Sequence, residues 1–208
     1  MNGLARRLWD EHRDIAERCL AHPFVQGIAS GALPRDRFAF YVEQDAFFLE
    51  TFARAYALAL AKSPDREGLS AFKALLDGAL DELKLHREYA ARWGLTLTPV
   101  PSAETRAYTD FLLAVASLEP AGHIAAAMAP CMRLYAYLGQ ALLPVVTPSS
   151  AYREWVDTYS SANFEGLAAT LEGLLDRYGG DPARMGAHYR WAMTLEWRFF
   201  DAAWRHGA

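Results

Sequence analysis

The chain has 208 residues, 52% of them hydrophobic and 22% charged, with a formal net charge of −4. A chain of that length and make-up buries a substantial core, which excludes a disordered protein. The acidic balance lacks the basic excess of a nucleic-acid binder, no run of about 18 apolar residues offers a membrane span, and two cysteines make no disulfide scaffold.

The opening, MNGLARRLWDEHRDIAERC, mixes both charge signs with apolar residues at helical spacing, unlike the apolar core of a signal peptide. A reduced, cytoplasmic protein is therefore expected. The same spacing predicts one helix over 4–21 and a short one over 23–30. Gly31 and Pro34 break the pattern, and Pro34 opens a long helix that runs to Lys62. Ser63 and Pro64 restart a helix to about Trp93, with Gly94 as terminator. LTLTPVPSAE reads as a loop. Helices are predicted over 103–118, 121–143, 149–159 and 161–178. Gly179-Gly180 stops the last of these, and Asp181-Pro182 caps a final helix to about Arg205. No segment alternates with period two and no repeat of about 20 to 50 residues occurs, so a single all-α domain over 1–208 is expected.

Three of these helices carry an ionisable group on an apolar face. Phe38, Tyr41, Phe48, Phe52 and Tyr56 form a stripe at three- and four-residue steps, and Asp45 falls within it. Tyr189, Met193, Phe200 and Ala203 form another, interrupted by Glu196. In MAPCMRLYAYLGQ, Cys131 lies on a face with Ile124, Met128, Tyr135 and Leu142. A buried carboxylate without partners is costly. Arg54, Arg133 and Arg198 are available to neutralise the two acids, and a buried cysteine is by default a small hydrophobe. Three such groups on facing stripes, with Tyr108, Tyr135 and Tyr159 nearby, instead suit an aromatic-walled pocket for a small planar ligand.

A Cys-His dyad on one helix is excluded: His123 is eight residues from Cys131, about 12 Å along the axis. Glu82–His86 and Glu119–His123 each have the four-residue spacing of a helical metal-ligand pair. Pro120 and Gly122 weaken the second pair, and the final helix offers no acid–histidine match. The first pair is therefore expected to be a surface or outer pair, and no metal or cofactor is expected. Cys19 has no motif around it and reads as packing.

Five separated stretches resemble the TenA family, the thiaminase II-like proteins of the haem-oxygenase-type helical fold. They are LWDEH…HPFVQGIASGALPRDRFAFYVEQDAFFLETFARA, ELKLHREYAARWGL, APCMRLYAYLGQ, YREWVDTYSS and TLEWRFFDAAW. Cys131 after Ala129-Pro130 matches the cysteine-bearing branch. The resemblance implies hydrolysis of 4-amino-5-aminomethyl-2-methylpyrimidine to its hydroxymethyl counterpart and ammonia in thiamin salvage, with thiamin cleavage at the same carbon. It implies Cys131 as nucleophile, Glu196 as acid/base, and Asp45 on the aminopyrimidine edge. Tyr108, Tyr135 and Tyr159 match pocket tyrosines, Phe199 an aromatic wall, and the assembly would be a homotetramer. Phe48 stands where family members often carry tyrosine, so one hydroxyl is missing from the implied substrate pocket. A pyrimidine-binding regulator without catalysis and a metal-dependent oxidase on the same fold are the alternatives.

Overall fold

The computed structural model describes residues 3–95 and 100–207. Among them the chain forms ten α-helices: α1 (Leu4–Glu11), α2 (Arg13–Leu20), α3 (Pro23–Ser30), α4 (Arg35–Ala61), α5 (Arg66–Trp93), α6 (Ala103–Leu118), α7 (Ala121–Leu142), α8 (Arg153–Tyr159), α9 (Ala162–Tyr178) and α10 (Pro182–Arg205). The all-α expectation holds. Residues 96–99 of the expected loop lie outside the described residues.

Local chemistry explains most of the boundaries. Asp65, Ser102, Ser161 and Asp181 each accept a backbone N–H of the first turn that follows, filling a donor the helix leaves open. Gly31 and Gly94 end α3 and α5 in the left-handed region, which favours glycine. Two boundaries differ from the periodic reading. The helix expected over 4–21 breaks at His12, whose ring Nδ1 bonds the Leu8 carbonyl at 2.7 Å while its own N–H turns to Trp9. The side chain competes for the helical ladder and starts a new helix. The helix expected from 149 begins only at Arg153, because residues 147–152 are spent on turns closed by Ser150 and Tyr152.

The stripe on α4 is buried as predicted: Phe38, Tyr41, Phe48, Phe52 and Tyr56 all face the interior. Against it lie α5, α6, α7 and α10, and one apolar core runs through side chains of all ten helices. Two features aim the pocket residues. Gln44 on α4 donates to the Val100 carbonyl and accepts from the Ser102 N–H and the Thr105 hydroxyl, pinning the start of α6. Gly139 on α7 lies so close to α8 that a Cβ there would collide with the Tyr159–Ser160 peptide. The column Cys131–Tyr135–Gly139 is thus a packing seam at its Gly139 end.

Candidate active site

The three singled-out groups converge. Tyr108 on α6 donates to Oε1 of Glu196 on α10 at 2.7 Å, and the Cys131 thiol on α7 donates toward the same carboxyl group. Glu196 is only 2% exposed. Burial pushes its pKa up to about 7, with the two hydrogen bonds opposing the shift. The Cys131 thiol is pushed well above its ordinary value by burial first, and then by the charges of Glu196, Glu82 and Asp45.

Asp45 finds its partner on α5. His86 Nε2 lies 2.7 Å from Asp45 Oδ2, and His86 Nδ1 lies 3.0 Å from the Glu82 carbonyl. Both neighbours are acceptors, so both ring nitrogens carry hydrogen and the ring is an imidazolium. Burial disfavours that charge, but the hydrogen bond and charge of Asp45, with help from Glu82, outweigh it and lift the His86 pKa to about 9. Glu82 receives the hydroxyl of Tyr159 on α8. Burial, then the charge of Asp45, raises its pKa to about 7.

None of the three arginines serves these acids. Arg54 pairs with Glu50, Arg133 forks to Glu165 and Glu172, and Arg198 lies over the Trp191 ring. The site neutralises its carboxylates with phenols and one imidazolium, a softer environment in which protons can still move.

Aromatic rings enclose the polar groups. Phe48 packs against Tyr108 at 4.8 Å between centroids and faces Phe199 at 6.0 Å. Tyr135 meets Tyr159 edge-on at 4.7 Å. Trp155 Nε1 donates to the Tyr41 hydroxyl, which donates to the Tyr135 hydroxyl, leaving the Tyr135 proton for another acceptor. All eight residues singled out from the sequence therefore belong to one cluster of contacts. Glu82, His86, Tyr41 and Trp155 complete it. Of the surface or outer placement expected for Glu82 and His86, the outer one fits: His86 is buried and stands behind the pocket acid Asp45.

The second acid–histidine pair has another fate. Glu119, His123 and His188 bring one donor atom each within 4.8 Å of one another. The Asp181 N–H donates to His123 Nε2, which places the ring hydrogen on Nδ1, 3.1 Å from Glu119. Arg184 also pairs with Glu119. A cation there would meet an N–H and a guanidinium, so the donor set suits a clasp between helices. Cys19 is fully buried, as expected of packing.

Comparison with known proteins places the chain in a family. Residues 9–181 match the model of the TENA/THI-4/PQQC family. An aminopyrimidine aminohydrolase from Halalkalibacterium halodurans is 34% identical over 212 aligned positions, covering 96% of this chain and 95% of that protein. A TenA homologue from Pyrococcus horikoshii superposes with a TM-score of 0.91 at 27% identity, covering 99% of this chain and 100% of that one. Haem oxygenase-1 from Synechocystis shares the fold alone, with a TM-score of 0.60 at 16% identity over 97% of this chain and 92% of that one. The chain belongs to the TENA/THI-4/PQQC family.

Proposed function

We propose that the protein hydrolyses 4-amino-5-aminomethyl-2-methylpyrimidine to the hydroxymethyl compound and ammonia, a thiamin-salvage reaction, with Cys131 as nucleophile. The observation that carries the reading is the thiol directed at a carboxyl group held by Tyr108, inside an aromatic enclosure that also contains the Asp45–His86 pair. The name of the Halalkalibacterium relative supports the same chemistry.

Each residue has a task. Asp45 accepts from the exocyclic amine of the pyrimidine, and His86 holds that carboxylate in place. Phe48 and Phe199 wall the ring, and Tyr135 supplies a free hydroxyl proton. The thiol proton passes to a carboxylate, and the thiolate adds to the ring, breaking its aromaticity. Glu196, with a pKa of about 7, protonates a ring nitrogen as charge builds there. The amine departs from the methylene carbon with a proton, as ammonia. Water adds to that carbon, and loss of the thiolate restores the aromatic ring. Tyr159 and Tyr108 hold Glu82 and Glu196 in their working positions.

Both nitrogens of His86 are engaged, which removes the support for a metal-dependent oxidase built on Glu82 and His86. The absent hydroxyl at Phe48 favours a pyrimidine-binding regulator as the second reading. No helix among the described residues is long and apolar enough to cross a membrane. A single domain over 1–208, a cytoplasmic location and a homotetramer belong to the same proposal. The continuous core supports the first, and the family resemblance supports the tetramer.

The test is ammonia release from the aminomethylpyrimidine by wild type and by Cys131→Ser. Turnover that falls at least about 1,000-fold in the variant supports the enzyme, since a serine hydroxyl is a far weaker nucleophile at neutral pH. A folded wild type that binds the pyrimidine without releasing ammonia favours the regulator.

A further inference from the structure

Tyr56 is 1% exposed, and its hydroxyl has no hydrogen-bond partner. Buried hydroxyl groups almost always find one, so an idle phenol inside a core asks for an explanation. It sits on the inward stripe of α4, edge-on to Phe52 at 4.8 Å between centroids. Together with Glu82 on α5 and Met132 on α7, the residue after Cys131, Tyr56 lines a cavity of about 130 Å³. Tyr56 therefore stands beside the segment of α7 that presents the thiol. Burial pushes the Tyr56 phenol well above its ordinary pKa, and negative charge on Cys131 and Glu82 adds to the rise, so the phenol keeps its proton.

The sulfur has an electrostatic problem. Three carboxyl groups, of Glu196, Glu82 and Asp45, all act against a thiolate, and the His86 imidazolium beside them is spent on Asp45. A thiolate in this setting needs hydrogen-bond donors. Most of the neighbouring hydroxyl protons are already committed: Tyr108 donates to Glu196, Tyr159 to Glu82 and Tyr41 to Tyr135. Phe48 contributes no hydroxyl at all. Tyr135 keeps a proton, but its oxygen is tied into the Trp155–Tyr41 chain. Among the described tyrosines only Tyr56 and Tyr189 have a buried hydroxyl with no bond in either direction, and Tyr189 packs on His12, away from the pocket, which leaves Tyr56 as the uncommitted donor on this side.

We propose that the Tyr56 hydroxyl donates a hydrogen bond to the Cys131 sulfur once it is a thiolate, doing work that a hydroxyl at position 48 would otherwise share. The inference rests on Cys131 being the nucleophile and adds a residue to its activation. In the resting state the thiol turns to Glu196 and Tyr56 is idle. When the proton leaves, the sulfur becomes a strong acceptor and the phenol acquires its partner.

Alkylation by iodoacetamide, in which the thiolate displaces iodide, reads the thiolate population without any substrate. The rate at Cys131 is followed by mass spectrometry from pH 6 to 10, with the fully buried Cys19 as internal reference. The wild-type thiol titrates well above its ordinary value, so the rate is still climbing at pH 10, and Tyr56→Phe is expected to displace that climb upward by about one pH unit. At pH 7.5 it should slow alkylation about tenfold. Its thermal midpoint should equal or exceed that of wild type, because the deleted hydroxyl bonds nothing in the resting protein. Adding Phe48→Tyr to Tyr56→Phe should recover part of the lost rate. An undisplaced profile in Tyr56→Phe overturns the proposal, as does a wild-type Cys131 no more reactive than the buried Cys19 at any pH. Ammonia release by wild type is scored separately, so an active enzyme with an unmoved alkylation profile removes Tyr56 alone.

Discussion

Two Glu–His pairs with the same four-residue spacing have opposite fates. At Glu82–His86 the side chains part: the histidine reaches across to Asp45 on α4 and the glutamate to Tyr159 on α8. At Glu119–His123 they stay together at 3.1 Å, where α6 gives way to α7. Arg184 joins the second pair from α10, and Lys62 donates to the Ser117 and Glu119 carbonyls at the end of α6. The first pair is surrounded by phenols and other acids, the second by cations. Arg184 at the Glu119 carboxylate and Lys62 at its carbonyl tie neighbouring helices together. At the first site burial lifts Glu82 and Glu196 to a pKa of about 7 against the opposing pull of Tyr159, Tyr108 and His86, so these carboxyl groups are able to exchange protons. Spacing along a helix predicts that such residues share a face; which partners that face meets decides whether they work as a clasp or as a site.

The comparison breaks most sharply at His86. His86→Gln keeps a donor but loses the charge that Asp45 faces. We expect kcat/KM for the aminomethylpyrimidine to fall about 100-fold, chiefly through KM, because Asp45, the carboxylate proposed to orient the ring, is no longer held. The equivalent change in the clasp, His123→Gln, should leave kcat/KM within about twofold. Steady-state kinetics on both proteins, with equal effects, would erase the distinction.

The carboxyl groups sharpen it through pH. Glu196 has its folded-state pKa raised from the ordinary 4.5 to about 7. Between those values the folded protein holds a proton that the unfolded chain has released, so stability is full below about 4.5 and declines as pH rises through 7. Glu82 contributes in the same direction, as does His86, whose contribution is lost as pH rises from about 6.5 through 9. Glu196→Gln removes the largest such cost at the thiol. Relative to wild type it should gain on the order of 3 kcal/mol as pH is taken from 4.5 to above 7, while losing activity. Urea unfolding at pH 5 and pH 8 measures the change; parallel curves for the two proteins would show that Glu196 is not buried as a near-neutral acid.

Much of this was legible in the sequence. Asp45, Cys131 and Glu196 betrayed themselves because a polar group on an otherwise apolar helical stripe has to be explained, and all three came together. His86 did not, because DELKLHREYA is charged on most sides, with Asp81, Lys84, Arg87 and Glu88 exposed. The inward turn of that one residue depends on how α5 is rotated against α4, which periodicity within α5 does not reveal. Tyr56 was visible as part of a stripe, but an idle hydroxyl is a property of surroundings and not of spacing. The break at His12 was hidden for the same reason, since the competing bond is made by a side chain with no helix-breaking reputation.

At the clasp the expected effects are smaller and purely structural. His123→Gln loses the ring nitrogen that accepts the Asp181 N–H, together with a 3.1 Å approach to Glu119 that is not a hydrogen bond, and should cost about 1 kcal/mol of stability.

Arg184→Met should cost less. Its side chain is 58% exposed, so solvent screens the pair with Glu119, and a surface ion pair is worth about 0–1 kcal/mol. Glu119 itself is 8% exposed and keeps His123 when the arginine is gone, so it is not left as a stranded charge. Chemical denaturation at low and high salt separates the two contributions: the Arg184→Met penalty should shrink in salt, and the His123→Gln penalty should persist. A large, salt-resistant loss at Arg184 would mean that the guanidinium is built into the junction as firmly as the histidine, and that the clasp is held by charge more than by its buried hydrogen bonds.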